Sequence, residues 1–344
     1  MSSVSEVVEF ESLNASLLRH FPELVADLNG DLSALLDAAN IGESEFADGL
    51  GNVTYRQLIR LLELAAQALH CPDLGMRLAS IQRGGSIFGP LGHVMSNSHT
   101  FGDALTFACE HSNAHSRAAR VWLHRLDDTG QVFAGHELLL GNIANRAQAI
   151  EQILLLGHVE AQEMTGGYAR ARKVHFRHEP ISPQDTYRKY FGCEVRFGQR
   201  VDGIVFSEED LASPILRNSS RVHGDMVAFI ERTFPRERLP FHAEVRGLIM
   251  RRLAFGDCSS SEVARAMNLH HRTLRRRLRQ EDSSFQQVKD EVRRDLTLYY
   301  LERTDLDFRG ISEKLGFAEQ SIFSRSCRRW FGKSPSQLRR GLAD

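Results

Sequence analysis

The chain has 344 residues, 42% of them apolar and 25% charged, with a formal net charge of -1, a length and composition that favour about two domains with real cores. Its five cysteines (Cys71, Cys109, Cys193, Cys258 and Cys327) stand far apart without a CxxC pair, which excludes a small disulfide scaffold, a zinc ribbon and a thioredoxin-type site. The opening "MSSVSEVVEFESL" is acidic, and no run of about 18 apolar residues occurs anywhere, so a cytoplasmic chain with no membrane partner is expected.

The net charge conceals an asymmetry. Residues 236–344 carry 23 Lys and Arg against 15 Asp and Glu, a surplus of 8, whereas residues 1–235 carry 20 against 29, a deficit of 9. An acidic regulatory or assembly part joined to a part that meets a polyanion fits this split.

Between residues 12 and 82, "ASLLRHFPELVADL", "DLSALLDAA" and "TYRQLIRLLELAAQAL" place apolar residues three and four apart and predict a helical leader. "RGGSIFGPLGH" then reads as a loop by its glycines and proline, without the order of a phosphate cradle. "RVWLHRL" and "QVFAGHELLL" flank "DDTG" as a hairpin, "NRAQAIEQILLLGHVEAQEM" reads as a helix, and "KVHFRH", "CEVRFG" and "GIVFS" read as short strands. A helical stretch follows near 214–233. The fold class predicted is therefore multidomain: an α+β sensor and dimerisation domain over residues 1–234, then an all-α domain over 235–344, with the boundary at "PRERLP", residues 235–240.

His111 and His115 are spaced four apart, which can put two imidazoles on one helix face, and His175 and His178 are three apart. Ordinary polar or half-buried histidines are expected, with no metal and no cofactor. Nucleophile, base and orienter cannot be assembled from local motifs, and no catalytic residue is expected. The chain reads as a non-enzyme.

The strongest signal comes last. "VARAMNLHHRTLRRRL" (263–278) and "ISEKLGFAEQSIFSRSC" (311–327) repeat one design about 48 residues apart: a short helix, a tight turn at Asn268 or Gly316, and a second helix. That is the helix-turn-helix plan, whose second helix lies in the major groove of DNA. In the first unit Leu274 and Leu278 hold the inner face and leave Arg272, Arg275, Arg276 and Arg279 outside. In the second, Phe323, Cys327, Trp330 and Phe331 turn inward and leave Gln320, Ser321, Ser324, Arg325 and Arg328 outside. Guanidinium forks pair with guanine O6 and N7, Gln pairs with adenine, and the remaining cations neutralise phosphate. An isolated arginine-rich face can be mere solvated surface; its duplication on a shared inner pattern points to double-stranded DNA. Those nearest each helix start, Arg272, Arg275 and Arg276 in one and Gln320, Ser321, Ser324 and Arg325 in the other, are the base-reading candidates.

Between the units, "SSFQQVKDEVRRDLTLYYLER" predicts one helix starting near Ser283 or Ser284, roughly 30 Å long, against about 34 Å between successive major-groove faces on one side of B-DNA. After the second unit Pro335 marks a helix start, where free amides and Lys333 offer a phosphate site.

These residues resemble the AraC/XylS family of bacterial transcription regulators. "SEVARAMNLHHRTLRRRLRQEDSSFQQVKDEVR" and "ISEKLGFAEQSIFSRSCRRWFGKSPSQLR" are similar to its two helix-turn-helix units, and "GPLGHVMSNSHTFGDAL", "VHFRHEP" and "YRKYFGCEVRFGQRVDGIVFSEEDLASPI" resemble the arabinose-binding type of N-terminal domain in one branch. The resemblance implies a sequence-specific regulator, an effector-responsive activator acting as a homodimer, with RNA polymerase and a small molecule of unknown identity as further partners. The alternative is control by a protein partner or by concentration, without a small effector. His270 and Ala318 stand where the family usually offers a serine cap, Cys327 replaces a usual phenylalanine, and Gly310 is expected inside a helix, so the second unit is expected to be less rigid and to contribute less selectivity.

Overall fold

A computed structural model describes residues 10–42, 52–82, 85–126, 129–140, 145–216, 218–234, 241–255, 258–303 and 306–342. The chain divides into two compact units, residues 1–236 and 237–344. The hexapeptide expected to form the boundary, 235–240, lies outside the described residues.

The first unit opens with a strand pair that helical periodicity did not reveal: β1 (Ser12–Asn14) runs antiparallel to β2 (Asn52–Thr54), Leu13 opposite Val53. "ASLL" is a 3-10 turn rather than the start of a long helix, and α1 (Phe21–Asp27) begins only after His20, whose φ of 64° reverses the chain. Then come α2 (Leu32–Ala39), α3 (Tyr55–Ala68) and α4 (Leu74–Ile81). A capping box fixes the start of α3, Thr54 accepting from the Gln57 amide while Gln57 reaches back.

The glycine-rich stretch is only partly a loop. Pro90 opens α5 (Pro90–Ser96), where its missing N–H is no loss, and Gly89, with φ 58°, turns the chain into it. Thr100 and Asp103 box the start of α6 (Phe101–Glu110). His111 is already the residue that ends α6, stacked on Phe107, and His115 lies beyond a further 3-10 turn. The two imidazoles therefore do not share a helix face, because the four-residue spacing spans a helix end.

β3 (Ala119–Leu126) and β4 (Gln131–Leu138) form the expected antiparallel hairpin. α7 (Ala147–Thr165) follows, then β5 (Lys173–His175), α8 (Gln184–Phe191), β6 (Glu194–Arg196), β7 (Asp202–Ser207) and α9 (Glu208–Ala212). The sheet order is β3-β4-β7-β5-β6, with β5 and β6 its parallel pair. Pro214 bridges to Thr100, so α10 (Ser220–Thr233) starts later than residue 214.

α7 is buried along most of its length, and its polar residues are tied off inside. The Gln152 amide donates to the Leu17 carbonyl (2.7 Å) and to Gln82 Oε1 (3.0 Å), and Glu151 accepts from the Tyr187 hydroxyl (2.6 Å). These bonds hold the N-terminal turn and α8 against the central helix.

The second unit is all helix: α11 (Phe241–Phe255), α12 (Ser260–Ala266), α13 (His271–Gln280), α14 (Phe285–Arg303), α15 (Phe308–Lys314), α16 (Gln320–Phe331) and α17 (Pro335–Leu342). Its core joins Val245, Ile249 and Leu253 of α11 to Leu274 and Leu278 of α13, to Val288 and Val292 of α14 and to Phe323 and Cys327 of α16. Among the described residues no helix is long and apolar enough to cross a membrane, and no three His, Cys, Asp or Glu side chains form a metal-binding group.

Candidate nucleic-acid interface

Two halves of the same plan flank α14. In the first, Ser259 and Glu262 box the start of α12, Asn268 turns the chain at φ 52°, and α13 begins at His271. His270 does cap α13, its Nδ1 accepting from the Arg272 amide at 3.3 Å, and His271 Nε2 lies 2.8 Å from the Ser260 hydroxyl, tying α13 to α12. In the second, Asp307 accepts from the Gly310 amide at 2.7 Å, Gly316 turns the chain at φ 66°, and α16 begins at Gln320. Left-handed backbone is thus used at the two equivalent turns, by Asn once and by Gly once.

Two expectations change here. Gly310 sits in the first turn of α15, where its amide feeds the Asp307 cap, and not in a helix interior. The residue at the cap of α16 is Glu319, not Ala318, and it makes no capping bond; its carboxylate instead accepts from the Ser321 hydroxyl at 3.0 Å.

α14 has 19 residues, about 28 Å of rise, and Ser284 accepts from the Gln287 amide at its start (3.3 Å). It holds both halves. Lys289 Nζ donates to the Cys258 carbonyl (2.6 Å) on the side of the first, and Asp290 accepts from Arg329 of α16 (2.7 Å) on the side of the second. Arg293 is buried; its Nε donates to the Leu315 carbonyl at 2.9 Å, its Nη2 donates to the Gly316 carbonyl, and its guanidinium lies 4.1 Å from the centre of the Phe317 ring. Gly316 has no room to change, because a Cβ there would stand 3.2 Å from Leu253 as well as strain the positive φ.

The cations sort into two groups. Arg246 pairs with Asp295 (2.6 Å), Arg329 with Asp290, Arg277 lies over the Phe241 ring (5.5 Å), and Arg339 donates to the Leu306 carbonyl (2.6 Å). By contrast, the side chains of Arg272, Arg275, Arg276, Arg279, Arg325, Arg328 and Lys333 are exposed and, among the described residues, have no ion pair or hydrogen bond. Four of the five arginines of α13, Arg272, Arg275, Arg276 and Arg279, lie together with Gln280 around one open surface depression.

On α16, Gln320, Ser321, Arg325 and Arg328 are exposed and Ser324 is half-buried. The sites expected on the two helices thus lie on the faces opposite Leu274 and Leu278 in one case, and Phe323 and Cys327 in the other. At α17 the Ser334 amide donates to Gln337 Oε1 (2.9 Å) and the Gln337 amide to Ser334 Oγ (3.3 Å). Those two amides are therefore taken within the protein, while the Lys333 side chain is exposed.

Three residues escaped the sequence reading. Arg293, which follows the buried Val292 on α14, is itself buried. Glu319 and Ile322 share the exposed start of α16, Ile322 being 36% exposed. A carboxylate can accept from cytosine N4, and an aliphatic side chain can meet the thymine methyl.

A family model described as the arabinose-binding domain of AraC transcription regulator, N-terminal, matches residues 30–215, more than half of the chain, and a helix-turn-helix domain model matches residues 263–341. The chain belongs to the AraC family of transcription regulators. This AraC-family chain is 32% identical over 289 residues to the HTH-type transcriptional regulator VirS of Mycobacterium tuberculosis, covering 82% of each protein. It is 29% identical to the ornithine utilization regulator of Pseudomonas aeruginosa, over 92% of this chain and 93% of that one. Among solved structures, the transcriptional regulator CdpR from Pseudomonas aeruginosa aligns over 90% of this chain and 96% of its own, at 22% identity and a TM-score of 0.42. The AraC-family chain is thus a transcriptional regulator with a helix-turn-helix DNA-binding domain behind an α+β domain, and the relatives named are regulators rather than enzymes.

Proposed function

We propose that this AraC-family regulator is an effector-responsive activator that binds paired DNA half-sites as a homodimer and engages RNA polymerase there. Arg272, Arg275 and Arg276 read bases from the first half, and Gln320, Ser321, Ser324 and Arg325 from the second, with Glu319 and Ile322 adding cytosine and thymine preferences. Arg279, Arg328 and Lys333 neutralise phosphate. The observation that carries this reading is that Arg272, Arg275, Arg276 and Arg279 on α13 and Arg325 and Arg328 on α16, with Lys333 just beyond, are exposed and, among the described residues, unpaired, whereas Arg246, Arg293 and Arg329 are held within the protein.

The N-terminal unit supplies control. A small molecule that binds one arrangement of that unit better than another shifts how the two readers are offered to DNA, and its effect cannot exceed its differential affinity for the two arrangements.

Selection of bound fragments from random DNA, followed by titration of the winner and a scrambled duplex at two salt concentrations, tests the DNA reading. A sequence-specific reader keeps a preference at physiological salt, whereas attraction by arginine alone falls away with log[salt] for every sequence. Transcription from the selected site with purified RNA polymerase then reads activation, and loss of output on adding regulator overturns the activator assignment.

A further inference from the structure

The first unit contains a cavity of about 110 Å³ between one face of the sheet and helices α5, α6 and α7. Its walls are almost entirely carbon, from residues such as Phe101, Leu105, Val121, Ile153 and Phe206. Ser112, His115, His136 and Glu160 are the polar side chains in its lining, and no lysine or arginine is among the described residues that form it.

Gly157 of α7 also faces this space. A Cβ added there would find only Ile204 Cδ1 within 4 Å, at 3.9 Å, an ordinary contact. Packing does not call for glycine at this position, and a helix interior is weakened by glycine relative to alanine. What the glycine does is leave room.

His115 Nε2 and His136 Nδ1 are covered by neighbouring atoms and, among the described residues, have no hydrogen-bond partner. Burial pushes both imidazoles down to about 4, so each is neutral at physiological pH and offers one ring nitrogen as donor and one as acceptor. Buried polar atoms without partners are rare and destabilising; both rings belong to the lining of this cavity, and a turn of either ring would present its nitrogen to a bound group.

Building on the effector-responsive reading, we propose that this cavity is the effector site and that its ligand is an uncharged, mainly hydrocarbon molecule of about one ring, carrying one or two hydrogen-bonding groups that meet His115 and His136. Size sets the upper bound, since this space of about 110 Å³ is somewhat smaller than the apolar cavity of about 150 Å³ that takes up benzene. A free sugar does not fit the chemistry: its ring of hydroxyls, set among Phe, Leu, Ile and Met side chains, finds too few partners. An anion finds no cation in the walls. The family model's name therefore does not carry over to the ligand of this chain.

The probe is 4-fluorophenol, followed by fluorine NMR with the full-length protein. Saturable broadening of its line is expected with the native chain, unchanged by excess arabinose. Gly157→Leu, which fills the cavity, should abolish it, and His136→Leu, which keeps the wall apolar but removes a partner, should weaken binding about tenfold. A melting transition and retained DNA affinity show that each variant is folded; should Gly157→Leu fail that control, His136→Leu decides. A line that stays sharp with the native chain, broadening that survives the variants, or displacement by arabinose overturns the assignment. Failure of the broader reading looks different: 4-fluorophenol binds as described and yet neither it nor related phenols change DNA affinity.

Discussion

The two units treat charge in opposite ways. The first hides it: His115, His136, His158 and His175 are pushed down to about 4 by burial, and Glu151 is pushed up to about 8 by burial against the opposing hydrogen bond from Tyr187. All five are neutral at physiological pH. The second unit displays it, with six exposed cations on two helix faces, and Lys333 just beyond, unpaired among the described residues. The contrast teaches that net charge near zero says little about a chain built of parts with separate tasks: one interior suits a neutral guest, while one exterior suits a polyanion.

Acid should break that contrast most strongly, since it acts on five buried groups at once. The four histidines bind protons in the unfolded chain from about pH 6.5 downward but in the folded unit only near 4, so the stability they contribute is present above 6.5 and lost as pH falls toward 4. Glu151 works the other way, its contribution being present below its unfolded value of about 4.5 and lost as pH rises through about 8. Four groups outweigh one, so the first unit loses stability between pH 7 and 5 while the second changes little. The chain has two tryptophans, Trp122 in the first unit and Trp330 in the second, and urea titrations of Trp330→Phe and Trp122→Phe variants report each unit separately.

Next in size is the clamp that sets the two reading halves apart. Arg293→Met should lower the stability of the second unit by about 2–3 kcal/mol, because hydrogen bonds from a charged donor are lost and the Leu315 carbonyl is left buried without its partner. The same urea titration at Trp330 measures it, and a loss under about 0.5 kcal/mol, the size of an ordinary surface change, would refute the clamp.

Arg275→Ala and Arg325→Ala compare the halves directly. Each bidentate base contact is worth about 1–3 kcal/mol of discrimination. Four arginines without a partner among the described residues on α13 against two on α16, where Glu319, which makes no capping bond, also sits, place Arg275→Ala near the top of that range and Arg325→Ala near the bottom. Equal losses of specific over non-specific affinity would remove the distinction.

The smallest effect comes from the cap. Glu319→Ser supplies the missing acceptor for α16 and should raise stability by about 0.5–1 kcal/mol, read as a higher midpoint in urea. Removing a negative charge beside phosphate should also strengthen binding to all duplexes alike, visible in the same titrations.

The duplicated reader was largely legible in the sequence because its signals are local. Leu274 and Leu278, or Phe323 and Cys327, are spaced by the helix itself, and Asn268 and Gly316 are residues that tolerate a left-handed turn. The hairpin and α7 were legible for the same reason. Features that depend on distant segments were not. β1 meets β2 across some forty intervening residues, and the cavity draws on residues from Phe88 to Phe206, each of which looks like ordinary core on its own. Arg293 was hidden by its type, since a guanidinium pattern cannot say whether carbonyls wait for it. His111 and His115 misled because spacing is informative only inside one helix.

Lys289 and Asp290 are neighbours on α14, yet one grips the segment before α12 and the other grips α16. Both halves are thereby mounted on a single uninterrupted rod, with no joint to absorb a change of pitch. Inserting one base pair between the two contacted stretches of an operator rotates the far one by about 35° about the duplex axis. If both halves read DNA as proposed, the mount does not follow that rotation, and a one-base-pair insertion between the two boxes of a selected site should weaken binding more than a letter change inside either box.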